Sequence, residues 1–122
     1  MADNTSIPHS IKLHKQSRLL EIAYDDGSQF EFTCEYLRVY SPSADVRGHG
    51  PGQGVLQVGK EHVSITGIEP VGNYAIKLIF DDGHQTGIYS WDYLYDLGRN
   101  QAQYWQDYLD DLSKAGHIRK TD

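Results

Sequence analysis

The sequence predicts an α+β domain in which two antiparallel β-hairpins and additional short strands form a mainly antiparallel sheet, packed by one or two C-terminal helices. Three features lead there. The run Asp-Asp-Gly-X occurs twice between apolar stretches, at 25–28 and 81–84. Residues 29–34 alternate polar and apolar with period two, and the C-terminal third instead spaces its apolar residues three and four apart.

The first hairpin is expected over residues 19–34, with Leu19–Tyr24 and Gln29–Cys34 as its arms. Gly27 supplies the positive φ that a tight turn demands. The same pattern returns 56 positions later, with Tyr74–Phe80 and Gln85–Tyr89 flanking Asp81-Asp82-Gly83-His84. Both copies read aromatic-Asp-Asp-Gly-X-Gln, and both are followed by Tyr-Leu, at Tyr36-Leu37 and Tyr93-Leu94. Two readings stay open: an internal repeat, or two hairpins sharing one turn chemistry. Ser90 suits a helix N-cap ahead of Trp91, Leu94 and Tyr95; Gly98 suits a C-cap, and Asn100 a new N-cap ahead of Ala102, Trp105, Leu109 and Leu112. The face carrying Asp107, Asp110 and Asp111 reads as solvated. Between the hairpins, residues 41–54 hold four glycines and two prolines, which predicts a long irregular loop.

A chain of 122 residues with a formal charge of −6 and one cysteine fits a single domain, with a core at about 7–113 and frayed ends at 1–6 and 115–122. Cys34 alone can form neither an internal disulfide nor a four-thiolate metal site, and a cytoplasmic location is the expectation. The acidic balance speaks against nucleic acid as a partner, and no apolar run is long enough to span a bilayer.

Four candidate sites follow from residue chemistry. Gly54–Lys60 has the spacing of a phosphate-binding loop, but Glu61 stands where a magnesium-holding hydroxyl belongs, and Val55–Val58 reads as a short strand. A metal site would draw on His84 with His49 or His62 and Asp81 or Asp82, although none of these has helical or Cys-X-X-Cys spacing. Cys34, in register with Phe30 and Phe32, reads as core rather than nucleophile, and no Gly-X-Ser-X-Gly elbow exists. Arg38, Tyr40, Arg47, His49 and Gln53 could bring donors to one glycine-rich concavity suited to an anionic ligand, or the two arginines could pair with acids such as Asp45 and hold the loop.

These residues resemble the γ-butyrobetaine hydroxylase-like N-terminal domain. The likeness runs over about residues 7–97, and its most specific parts are Leu37-Arg38 and Asp82-Gly83-His84-Gln85-Thr86-Gly87-Ile88-Tyr89. In hydroxylases carrying this domain, three cysteines after Leu-Arg and the histidine of Asp-Gly-His hold zinc. Here those positions are Ser41, Ser43, Val46 and His84, so the thiolates are absent. The departure is similar to a short stand-alone bacterial form of the family. The same domain also occurs fused to P-loop ATPases that assemble iron–sulfur clusters, which implies an iron-related context and no catalysis.

The sequence therefore leads to a non-enzymatic accessory module that meets a protein partner through Arg38, Tyr40, Arg47, His49, Gln53 and His84, with no cofactor expected. One alternative is an iron- or zinc-binding protein built on His84; the other is a small-anion binder built on Arg38, Arg47 and His49.

Overall fold

The computed structural model describes residues 7–43, 46 and 55–120. Strands β1 (Pro8–His14), β2 (Leu19–Tyr24) and β3 (Gln29–Thr33) form one antiparallel sheet in the order β1-β2-β3 and lead into helix α1 (Cys34–Val39). Strands β4 (Ile65–Val71), β5 (Ala75–Phe80) and β6 (Ile88–Ser90) form a second sheet in the order β4-β5-β6 and lead into α2 (Trp91–Arg99) and α3 (Gln101–Lys114). Both halves thus run three strands and a helix, with the Asp-Asp-Gly turn between the second and third strands. The shared motif is an internal structural repeat.

The repeat extends to the helix starts. Thr33 accepts the Tyr36 amide at 3.0 Å, and Ser90 accepts the Tyr93 amide at 3.1 Å, each as a side-chain N-cap. Thr33 as a cap ends β3, so Cys34 opens α1 and does not continue the strand. Its burial in the core agrees with the expected packing role, and that burial pushes its thiol pKa up. Helix α1 was not anticipated. Its signal, Thr33 followed by Glu35 in the first turn, is the one read correctly at Ser90 and Asp92.

Alternation in β2 puts Leu20, Ile22 and Tyr24 on one fully buried face. They join Ile76, Leu78 and Phe80 of β5, and Leu37, Leu94 and Leu97 of the helices, in one hydrophobic cluster. The sequence is rich in tyrosine because the helices are pinned by phenol hydroxyls. Tyr36 donates to the Leu97 carbonyl at 2.7 Å and Tyr93 to the Tyr40 carbonyl at 2.5 Å. Counted from the caps these are the same position in both halves, so each tyrosine reaches the carbonyl one turn beyond its counterpart. Tyr24, Tyr40, Tyr89 and Tyr108 likewise donate to the carbonyls of Trp91, Tyr104, Leu37 and Gln57. Among the described residues no buried side-chain polar atom is left unbonded.

Four local expectations change. The second hairpin's return arm is Ile88–Ser90, not Gln85–Tyr89, because 84–87 turns aside toward the segment after α1. Residues 55–58 belong to no strand of either sheet. Gly98 lies inside α2 rather than capping it, and the break between α2 and α3 falls at Asn100, whose side chain bonds back to Asp96. The tail beyond α3 is tied down at Arg119, which bonds to Glu35. On the outer side of α3, Gln103 and Gln106 bond to Asp107 and Asp110 one turn on, as a solvated face should.

Gly98 owes its place to the Phe30 ring, since a Cβ there would sit 2.4 Å from the ring's first carbon. Helix propensity alone would make Gly98→Ala stabilising by about 1 kcal/mol. Overpacking against a rigid ring reverses the sign, and a net loss of about 1–3 kcal/mol is expected in urea unfolding. Combining it with Phe30→Leu should recover part of that loss; a stabilised single variant would refute the close packing.

Candidate functional site

The second Asp-Asp-Gly turn is built as the first is. Gly83 takes φ +90° and Gly27 φ +92°, and the second aspartate of each turn accepts the amide two residues on, Asp82 from His84 at 3.1 Å and Asp26 from Ser28 at 2.9 Å. Each turn is then gripped by the helix of the other half. Tyr95 of α2 donates to Asp26 at 2.8 Å, and Arg38 of α1 donates through Nε to Asp82 at 2.8 Å. Tyr95 and Arg38 stand at equivalent places after their caps, so a phenol in one half is replaced by a guanidinium in the other.

That replacement changes the electrostatics. The Arg38 side chain is 8 % exposed and Asp82 22 %, so the pair is held largely out of water. Arg38 also donates to the Gln57 side chain at 3.0 Å, and Lys60 adds a 2.7 Å contact to Asp82. Burial alone would raise the Asp82 pKa, but the bonds from Lys60, the His84 amide and Arg38 outweigh it and bring the carboxyl down to about 2. Asp81 is occupied as well, accepting the Ser64 amide at 3.1 Å.

The two halves part company beside this pair. Three residues before its helix cap, the first half has Phe30 packed on Gly98; the second half has Gly87 there, facing Ser41. A Cβ on Gly87 would come within 2.4 Å of Ser41 Oγ. Where a ring fills the first half, the segment after α1 folds in on the second. Ser41, fully buried, shares a 2.8 Å hydrogen bond with His84 Nε2 and accepts the Ser43 amide at 3.3 Å. Ser43 and Thr86 join hydroxyls at 2.7 Å. Val46 is buried, and its carbonyl accepts the Val55 amide at 2.7 Å.

The structure therefore brings together His84, the base of the loop and Arg38, three of the elements the sequence singled out. It gives Arg38 to Asp82 and Gln57, and the Tyr40 hydroxyl to a helix carbonyl, so both hold the scaffold. Arg47, His49, Gln53 and Asp45 lie outside the described residues. Thr86, Gly87 and the pairing of Gln57 with Arg38 were missed. Gly87 had a signal: it interrupts the repeat where the first half carries an aromatic.

The zinc implied by the resemblance does not fit these residues. One imidazole and two hydroxyls already bonded in pairs, with an isopropyl group at the fourth position, supply no thiolate. Among the described residues no group of three or more His, Cys, Asp or Glu side chains is placed to hold a metal ion. Ser41 and His84 have the spacing of a nucleophile and base, but Ser41 is sealed from solvent. Among the described residues, no helix is long and apolar enough to cross a membrane.

Comparison with known proteins places this geometry. The family model described as "Gamma-butyrobetaine hydroxylase-like, N-terminal" matches residues 11–95. Two NMR solution structures superpose with TM-scores of 0.83 and 0.82; they are 48 % and 52 % identical, and each match covers 98 % of this chain and 94 % and 90 % of those chains. A crystal structure of a protein of unknown function from Acidithiobacillus ferrooxidans, belonging to the DUF971 family, matches with TM-score 0.66 and 39 % identity, over 80 % of this chain and 98 % of that one. No curated protein matches the sequence.

Asp82→Ala takes the carboxylate from a largely buried Arg38 guanidinium that keeps its bond to Gln57, and a loss of about 1–3 kcal/mol is expected. Lys60→Ala, at a wetter contact, should cost under about 1 kcal/mol. Because the folded Asp82 pKa lies below its unfolded value, its contribution is whole above about pH 5 and fades as pH falls through 4 toward 2, by up to about 2 kcal/mol. Urea unfolding from pH 7 to pH 2 checks this, since Asp82→Ala should flatten that part of the acid limb.

Proposed function

The chain belongs to the γ-butyrobetaine hydroxylase-like N-terminal family, and from that premise we infer that it is a non-catalytic accessory module that docks a partner protein through residues 55–58 and the turn at 82–87. One observation carries this reading: Val55 and Val58 are 54 % and 41 % exposed on a backbone that is firmly held. Leu56 between them packs against the cluster of Val39, Tyr108 and Leu112. Gln57 accepts from Arg38 through its side chain and from Tyr108 through its carbonyl. The Val55 amide bonds to Val46. Two apolar side chains are thus presented on a fixed ridge, and its ordering entropy is met before any partner arrives.

The ridge is joined to the turn through the chain Gln57–Arg38–Asp82, whose last member also accepts the His84 amide. Partner docking accounts for a half-buried ion pair beside the turn better than ligand binding does, because the guanidinium and both turn carboxylates are already engaged. The same engagement argues against a metal-binding role for Asp81 and Asp82.

Affinity capture from lysate of the source cells tests the reading. The wild type should retain a partner that the Val55→Asp/Val58→Asp chain loses, and the Asp107→Asn/Asp110→Asn/Asp111→Asn chain should retain it. Chemical-shift mapping with the captured protein should then place the perturbations at 55–58 and 82–87. Perturbations confined to α3 would overturn the assignment.

A further inference from the structure

Among the described residues beyond α3, the chain is exposed from Ala115 to Ile118 and again at Lys120, and Arg119 alone is drawn in. Its Nε donates to Glu35 Oε2 at 2.8 Å and its Nη2 to the other oxygen of the same carboxylate. The guanidinium carbon lies 5.1 Å from the centre of the Trp105 ring. Glu35 is only 8 % exposed at its side chain, so this acid sits in the wall of the domain and not on its surface. A carboxylate meeting both arms of a planar fork, beside an aromatic face, suits a guanidinium and not an ammonium. The site also reads backbone: the Lys120 amide donates to Glu61 Oε2 at 2.6 Å.

The arm that delivers Arg119 fits less well than its arginine does. Leu109 and Leu112 of α3 border an open cleft of about 440 Å³ whose other wall is the arm itself, Gly116 to Arg119, so the arm's departure uncovers these two leucines. Ile118 stays 86 % exposed at its rim. A peptide that replaces the arm, packing an apolar side chain on Leu109 and Leu112 and setting an arginine on Glu35, would bury an apolar group where the arm leaves Ile118 in water.

We propose that Glu35, Trp105 and Glu61 form an arginine-recognition site, filled in this structure by the chain's own Arg119, which seats an arginine-bearing peptide of a partner protein when the C-terminal arm leaves it. The arm is then a tethered competitor: it keeps Glu35 paired while the site is idle, and it sets the affinity an incoming arginine must exceed.

The test uses the ¹⁵N-labelled chain and N-acetyl-L-arginine amide as probe. In Arg119→Ala the indole N–H resonance of Trp105 should shift saturably with the probe. It should not do so with N-acetyl-L-lysine amide, nor in Glu35→Gln/Arg119→Ala. In the wild type the response should be about tenfold weaker or more, since the tethered arm competes, and the Lys120 amide resonance should move as the arm is displaced. The Val55→Asp/Val58→Asp chain should respond as the wild type does, which separates this site from the docking ridge. A folded Arg119→Ala chain without a saturable shift, or with an equal response to the lysine amide, overturns the proposal. If Arg119→Ala does not fold, the wild type decides: a Lys120 resonance that stays in place at the highest probe concentration overturns it.

Discussion

The reciprocal exchange between Tyr36 and Tyr93 is the constraint around which this domain is arranged. Tyr36 is buried in the core and Tyr93 half-buried against it, and burial drives the Tyr36 pKa far above its ordinary range, so its hydroxyl must find an acceptor within the protein. The acceptors are the Leu97 and Tyr40 carbonyls, each one turn past the opposite tyrosine. Sliding either helix along the other would break both bonds at once, leaving a buried and a half-buried hydroxyl and two carbonyls unpaired. With α1 and α2 held in this register, the residues two positions beyond each tyrosine meet the turn of the opposite half. Arg38 reaches Asp82 and Tyr95 reaches Asp26 only because the exchange has fixed the helices.

An internal repeat of this kind makes its own departures informative. Three positions differ in a connected way: Tyr95 against Arg38, Phe30 against Gly87, and Gly98 against Ser41. In the first half the ring of Phe30 closes the space over Gly98. In the second, the missing side chain at Gly87 admits Ser41, which bonds to His84, while Ser43 bonds to Thr86. The substitutions convert a packed hairpin end into a polar clasp with a loop attached. A half-buried ion pair at its edge contributes little net stability compared with apolar packing, so its presence is better understood as fixing where residues 55–58 emerge.

The two proposed interaction sites share a neighbour in Tyr108. Its hydroxyl holds the Gln57 carbonyl, behind the Val55 and Val58 ridge, while its ring packs near Trp105, 5.3 Å between centroids. Residues 55–61 therefore run from the ridge to Glu61, which meets the C-terminal arm. Both surfaces rest on the same anchored strip of chain, and neither needs movement of the sheets.

Much of this was legible in the residues themselves. Asp-Asp-Gly between alternating runs fixes a hairpin by local geometry, and Ser90 ahead of spaced apolar residues fixes a helix start; both are short-range effects that a sequence carries on its face. The α+β class, the core role of Cys34, the solvated acidic face of α3 and the loss of zinc ligands at Ser41, Ser43 and Val46 came from the sequence alone, the last through its family likeness. Helix α1 could have been read as well, had Thr33 been compared with Ser90. What the tertiary structure decided is which side chains meet across about 40 to 85 residues of chain: Arg38 with Asp82, Ser41 with His84, Glu35 with Arg119. A hydrogen bond or ion pair between distant residues leaves no periodicity behind, because its partners are brought together by the packing of the elements that carry them and not by their spacing along the chain.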